Sequence, residues 1–100
     1  MADQKVPPAP QQIQIQDSMP GGEYTNLMNV GYSKEEFLLT FANIFPPSGK
    51  VVAKILTNPG HLKRMIKALE DSIKKYEAQF NVKIEEAEAP KNEIGFTDRN

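Results

Sequence analysis

The longest regular pattern of apolar and polar positions lies between Asn58 and Phe80. Apolar side chains recur there at steps of one, three or four residues, which at about 100° per residue places them on one narrow face of a helix. They are Leu62, Met65, Ile66, Leu69, Ile73, Tyr76 and Phe80. Asn58 is a good N-cap residue, and Pro59 fits the first helical position, where no N–H donor is needed. The pattern predicts one amphipathic helix with a buried apolar face centred on Leu69.

Two apolar segments before this helix are candidate strands. The first, Tyr24 to Tyr32, alternates imperfectly between apolar and polar residues. The second, Phe37 to Phe45, is open to two interpretations, because Ser33 and Glu36 have capping-box spacing and the apolar residues after them could line a short helix. Leu39 would face the wrong way on that helix, however, and the aromatic and Thr content suits a strand. We therefore favour a strand.

A third strand, Lys50 to Thr57, follows the turn-forming segment 46–49, which contains two prolines and a glycine. Short connections favour antiparallel neighbours. The sequence thus predicts an α+β fold, a small antiparallel three-stranded β-meander followed by one long C-terminal amphipathic helix (β-β-β-α). We expect the helix to fold back over one face of the sheet.

Composition divides the 100 residues into three parts. Residues 1–22 are rich in Pro, Gly and Gln, and residues 81–100 are acidic with few large apolar groups, so both are predicted to be disordered tails. Residues 23–80 remain as a single α+β domain. A unit of about 60 residues buries only about 60% of its unfolded surface, so self-association is expected.

The second and third strands offer apolar residues to both faces of the sheet, whereas one helix covers one face. A second copy of the chain is the simplest cover for the other face, so we expect a homodimer or higher homo-oligomer. A register shift of one residue exchanges the faces, so the outward set stays open. The candidate interface residues are Phe37, Leu38, Leu39, Phe41 and Ile44.

The sequence contains few residues suited to catalysis. The absence of cysteine excludes disulfides, thiolate nucleophiles and cysteine-ligated metals. His61 is the only histidine and is expected to be exposed, while Glu85, Glu86 and Glu88 are best explained as a solvated charge run. We therefore expect a protein that is not an enzyme and has no catalytic, cofactor-binding or metal-binding residues.

The helix start is unusually basic. Its first two turns carry positive side chains and no acid before Glu70, although helix N-termini prefer acids. Together with free backbone N–H groups, this arrangement would suit an external phosphate or carboxylate; the alternative is that these charges only keep the surface soluble. The candidate anion-binding or nucleic-acid-binding residues are Gly60, His61, Lys63, Arg64 and Lys67.

Charge and hydropathy separate the classes of partner. A net charge of −1 is too weak to argue nucleic-acid binding by itself, so this hypothesis ranks below self-association and binding to an unknown protein partner. No apolar run approaches the roughly 20 residues of a membrane span, and the N-terminal residues lack the features of a signal peptide. We expect a cytoplasmic protein without membrane contact.

Short marks along residues 23–80 occur in a characteristic order. They are Tyr24-Thr25-Asn26, Ser33, Glu36-Phe37, Phe41, Pro46, Asn58-Pro59, Lys63, Leu69, Ile73, Tyr76-Glu77 and Phe80. In this order they resemble the domain of unknown function 3467, a family of short bacterial and archaeal proteins. The resemblance implies a small prokaryotic protein and brings no assigned activity, cofactor or catalytic residue. Leu39-Thr40 stands where the family would have an acidic residue before Phe41.

Overall fold

The computed structural model describes residues 10–90 and 92–96. It contains a three-stranded sheet of order β1-β2-β3, in which both neighbouring pairs are antiparallel. The elements are β1 (Leu27–Tyr32), β2 (Phe37–Phe45), β3 (Ser48–Thr57) and α1 (Pro59–Phe80). The predicted β-β-β-α architecture is confirmed, and the contested second segment is a strand.

β1 begins three residues later than predicted, and Thr25 and Asn26 just before it bind β2 through their side chains. The Thr25 hydroxyl donates to the carbonyl oxygen of Ala42 at 2.8 Å. The Asn26 amide donates through Nδ2 to the carbonyl oxygen of Ile44 at 2.9 Å and accepts from the Ile44 N–H at 2.7 Å. Asn26 therefore binds the Ile44 backbone through its side chain, and its own backbone N–H donates to the Ala42 carbonyl oxygen at 3.1 Å.

The register shows which residues share a face of the sheet, because side chains alternate along each strand. We call one side the apolar face, because eight of the nine residues in its three rows that cross all three strands are hydrophobic: Met28, Val30, Tyr32, Phe37, Leu39, Phe41, Ala53, Ile55 and Thr57. The two-stranded end of the β2–β3 hairpin adds Asn43, Phe45, Ser48 and Lys50 to the same side. The other side, the mixed face, has a polar row across its middle. That row consists of Asn29, Thr40 and Lys54.

The buried core lies on β2. Leu39 is 3% exposed and Ala42 2% exposed, and Thr40 between them is also buried. β2 is the central strand, so its side chains have neighbours from β1 and β3, whereas the outer strands have neighbours on one side only. The burial therefore comes from the strands themselves.

Local chemistry fixes both ends of α1. The Asn58 side chain accepts a hydrogen bond from the His61 N–H at 2.7 Å, and Pro59 occupies the first turn. At the other end Asn81 adopts the left-handed conformation with φ 52° and ψ 48°, and its N–H donates to the carbonyl oxygen of Glu77. The predicted helix bounds are confirmed. Asn is suited to both of these capping roles.

The expectation that the helix folds back over the sheet is wrong. No residue of α1 is buried, and the extensive contacts between elements are those of β1 with β2 and of β2 with β3. Leu69, expected at the centre of a buried face, is 64% exposed. Only Asn58 separates β3 from the helix, and the residue before a proline is confined to extended conformations; its ψ is 160°. The helix thus starts directly after the sheet, and it makes no extensive contact with any of the strands.

The described parts of the two predicted tails, residues 10–22, 81–90 and 92–96, contain no helix or strand. Residues 1–9, 91 and 97–100 lie outside the described part of the chain. The disorder expected for the tails stays a prediction. One contact ties the start of the second tail to the helix, because the Ile84 N–H donates to Glu77 Oε2 at 2.8 Å.

Candidate interaction surfaces

Two apolar surfaces are open in the single chain. One is the apolar face of the sheet, and the other is the helix stripe, by which we mean the apolar side chains along one side of α1. Leu62 and Met65 of this stripe are half-buried, and the other members are exposed. The full stripe consists of Leu62, Met65, Ile66, Leu69, Ile73, Tyr76 and Phe80.

Apart from Met65, the stripe has strict heptad spacing, with steps that alternate between four and three residues. Positions a and d of the heptad are those that form the seam of a coiled coil. Ile66, Ile73 and Phe80 occupy position a, and Leu62, Leu69 and Tyr76 occupy position d. Sequence reasoning at the 3.6-residue period found the stripe but missed the heptad, although the spacing is visible in the sequence.

The residues beside the seam decide what kind of neighbour the stripe fits. A helix packed on a sheet needs a wider apolar face that includes position e or g, whereas a strict a and d seam suits a second helix. Only one of the flanking residues is apolar. Position e is occupied by Lys63, Glu70 and Glu77, and position g by Met65, Ser72 and Gln79. The stripe therefore matches another helix better than a sheet.

The register divides the candidate interface residues between the two faces of the sheet. Phe37, Leu39 and Phe41 lie on the apolar face, while Leu38 and Ile44 lie on the mixed face. Leu39 is buried within its own chain, and the other four residues are half-buried. The expected interface was the sheet face left uncovered by the helix. Since α1 has no extensive contact with the sheet, the fold does not single out one such face.

One edge of the apolar face carries an aromatic pair. Tyr32 and Phe37 are direct cross-strand partners, and their ring centroids lie 5.6 Å apart. Tyr32 is 78% exposed, and Met28 on the same strand is also exposed. This composition is typical of protein interfaces, where Tyr, Phe and Met are enriched.

The basic helix start is arranged differently from the expected anion site. The backbone N–H groups of Gly60 and His61 were expected to be free for an anion, but the His61 N–H donates to Asn58 Oδ1 at 2.7 Å, so that expectation is wrong for His61. The His61 ring in turn lies with Nδ1 2.8 Å from Arg64 Nη2. Lys63 and Lys67 are exposed on successive turns of the same helix. The cap therefore supplies its own acceptor, and an external anion would have to compete with it.

Several polar residues of the family-like motif stabilise turns and helix ends. Ser33 Oγ accepts hydrogen bonds from the N–H groups of Glu35 and Glu36, both at 3.3 Å, and the Ser33 N–H donates to the Glu36 carbonyl oxygen at 2.9 Å. These bonds close the turn between β1 and β2. Asn58 caps the helix, and the Glu77 carbonyl oxygen accepts from Asn81 and Val82 at its far end. Sequence reasoning recognised the role of Asn58, but it missed the Asn26 clamp on β2.

Within residues 10–90 and 92–96, no three His, Asp or Glu side chains are grouped so that they could hold a metal ion. A groove between the β2–β3 hairpin and residues 92–96 has Lys50 and Glu93 as the charged members of its lining. In the same described ranges, no helix has both the length and the hydropathy needed to cross a membrane. The candidate sites are therefore the two apolar surfaces.

The fold defines a small α+β protein in which a three-stranded meander is followed by a helix that stands apart from it. The motif residues within it shape turns and caps. The family described as Protein of unknown function (DUF3467) has a model that matches residues 1–86, and the chain belongs to this family. The resemblance inferred from the sequence is confirmed. No curated protein and no solved structure matches the chain.

Proposed function

We propose that this protein is a non-enzymatic interaction module that acts as a homo-oligomer and binds another protein. The observation that carries the proposal is the pair of open apolar surfaces, the helix stripe and the apolar face of the sheet. Soluble monomers rarely expose contiguous apolar patches beyond a few hundred Å². Because α1 has no buried residue and no extensive contact with its own sheet, other chains supply the cover.

The two surfaces support different roles. The narrow helix stripe is suited to self-association, since a second copy offers the same heptad seam. The apolar face of the sheet suits a protein partner, because it combines a buried centre at Leu39 with an exposed rim of Met28 and Tyr32. Aromatic anchors around a packed centre are the usual source of binding energy in such interfaces.

Sedimentation velocity of the full chain over the micromolar range tests the self-association. We expect a mass of at least two chains. Ile73→Asp should produce a folded monomer, because it places a charge in the seam. Lys75→Asp makes a larger change of charge two residues away, on the outer surface of the helix, and should leave the assembly intact. A parent protein that sediments as a folded monomer at every concentration would contradict the proposal.

Capture from the native cell tests the protein partner. We expect a defined protein to bind the parent chain and to be lost with Val30→Asp on the apolar face, while Asn29→Asp on the mixed face retains it. Circular dichroism of both variants checks that the sheet persists. Retention of nucleic acid alone, falling steeply with salt and abolished by replacing Lys63 and Arg64 with Gln, would favour the nucleic-acid hypothesis instead.

A further inference from the structure

We propose that the helix stripe pairs with the stripe of a second copy in an antiparallel two-stranded coiled coil. The two-fold axis passes between the two helices at the level of Asp71, which itself lies on the outer surface. This inference rests on the proposed self-association and specifies its geometry. The occupant of the stripe is then α1 of the partner subunit. Three independent features of the sequence and structure favour this direction: the sizes of the seam residues, the charges beside the seam, and the charges at the helix ends.

The first feature is the distribution of side-chain volume along the seam. The two aromatic residues lie in the last heptad, and the first half of the seam is aliphatic. In a parallel pair each aromatic residue would meet its own copy, so large side chains would crowd one end of the seam and only smaller aliphatic side chains would fill the other end. In the antiparallel pair each layer joins one residue from each half of the helix, so large side chains face smaller ones. The layers are Leu62 with the partner's Phe80, Ile66 with the partner's Tyr76, and Leu69 with the partner's Ile73.

The second feature is charge. Antiparallel helices bring e positions together, so Lys63 lies across from the partner's Glu77, and symmetry gives this pair twice. At the centre Glu70 meets the partner's Glu70, and Lys74, four residues farther along the same helix, is placed to compensate it. A parallel pair brings g beside e and would set Glu70 against the partner's Met65 and Glu77 against the partner's Ser72. It would contain no pair of opposite charges.

The third feature is the pair of helix ends. The first turn of α1 contains no acid and the last turn contains no base, the reverse of what stabilises a helix in isolation. In the antiparallel pair each basic start lies beside the negative end of the partner's helix. The acidic residues that follow that end along the chain, Glu85, Glu86 and Glu88, are exposed. The partner then supplies the compensation that each helix lacks.

Engineered cysteines distinguish the two directions, because the natural chain contains no cysteine. Ser72→Cys lies beside the proposed axis and should form a disulfide with its own copy on mild oxidation of the dimer. Leu62→Cys lies nine residues from the axis, so its copies would be separated by about 27 Å along the pair and should remain unlinked. Lys67→Cys, on the outer surface of the helix, is the matched control for random collisions.

The outcomes separate this inference from the proposed function. Cross-linking of Leu62→Cys without Ser72→Cys would establish a parallel pair and overturn the inference while self-association stands. A dimer in sedimentation that links neither variant overturns the inference alone. A folded monomer overturns both proposals.

Charge exchange gives a second readout that does not depend on cysteine. Lys63→Glu should weaken the dimer roughly fivefold, because it replaces two attractions with two repulsions at the rim. Adding Glu77→Lys to the same chain should restore the dissociation constant of the parent. A double variant as weak as the single variant would contradict the antiparallel register.

Discussion

The sheet and the helix of this chain both form regular hydrogen-bonded structure, but only the sheet contains buried side chains. β2 lies between two paired strands, so Leu39 and Ala42 are buried by their own chain. α1 satisfies its backbone hydrogen bonds internally and is capped at both ends, yet none of its residues is buried. Regular secondary structure and side-chain burial are therefore independent of each other in this chain. The sheet combines both within one chain, and under the proposed self-association a second molecule buries the helix stripe.

The connection between the two regions is a single residue. Asn58 is held extended by Pro59 and uses its side chain to cap the helix. One residue therefore joins the sheet to the helix and caps the helix, and α1 makes no extensive contact with the strands. Changes on the sheet side should act on the stability of each chain, and changes on the helix stripe should act on assembly.

The largest effect is expected at the buried centre of β2. Leu39→Ala removes a side chain that is 3% exposed and should cost about 2–5 kcal/mol of the free energy of unfolding, enough to unfold much of the protein. Leu56→Ala on β3 is the matched control, because Leu56 is 62% exposed and should lose under about 1 kcal/mol. Urea titration followed by circular dichroism measures both. Equal losses would mean that the core has been placed on the wrong strand.

A smaller effect is expected where Asn26 binds β2. Asn26→Ala removes two hydrogen bonds to the backbone of Ile44 and should cost about 1–3 kcal/mol. Asn29→Ala removes an exposed side chain of the same type from β1 and should change stability by no more than about 0.5 kcal/mol. The same urea titration compares them. If the two variants unfold at one midpoint, the side-chain clamp does not contribute to stability.

The smallest effect is expected at the helix cap. Asn58→Ala should lower stability by about 1 kcal/mol through loss of the bond to the His61 N–H, and Asn58→Ser should recover most of it, because Ser is also a good cap. Helical ellipticity and the thermal midpoint report the change. An Ala variant as stable as the Ser variant would show that the cap is replaceable by water.

Much of the fold follows from the sequence because its signals are local. Periodicity and capping residues located α1, and alternation with turn residues located three strands. The expected docking of the helix on the sheet is wrong for a physical reason. An apolar stripe that includes Leu69 and Ile73 indicates that this side of the helix favours burial, but it does not specify whether the same chain or another molecule buries it. The sheet faces could not be separated either, because they depend on pairing register, including the irregularity between Phe41 and Ala42.

Residue-resolved amide hydrogen exchange at a low and a high protein concentration tests the central claim most directly. If a second copy covers the helix stripe, protection of the α1 amides around Leu69 and Ile73 should rise with concentration, because dimer formation stabilises them by mass action. Protection at Leu39 on β2 should change less, since its cover belongs to the same chain. Protection of the helix amides that stays constant across concentrations would contradict the account.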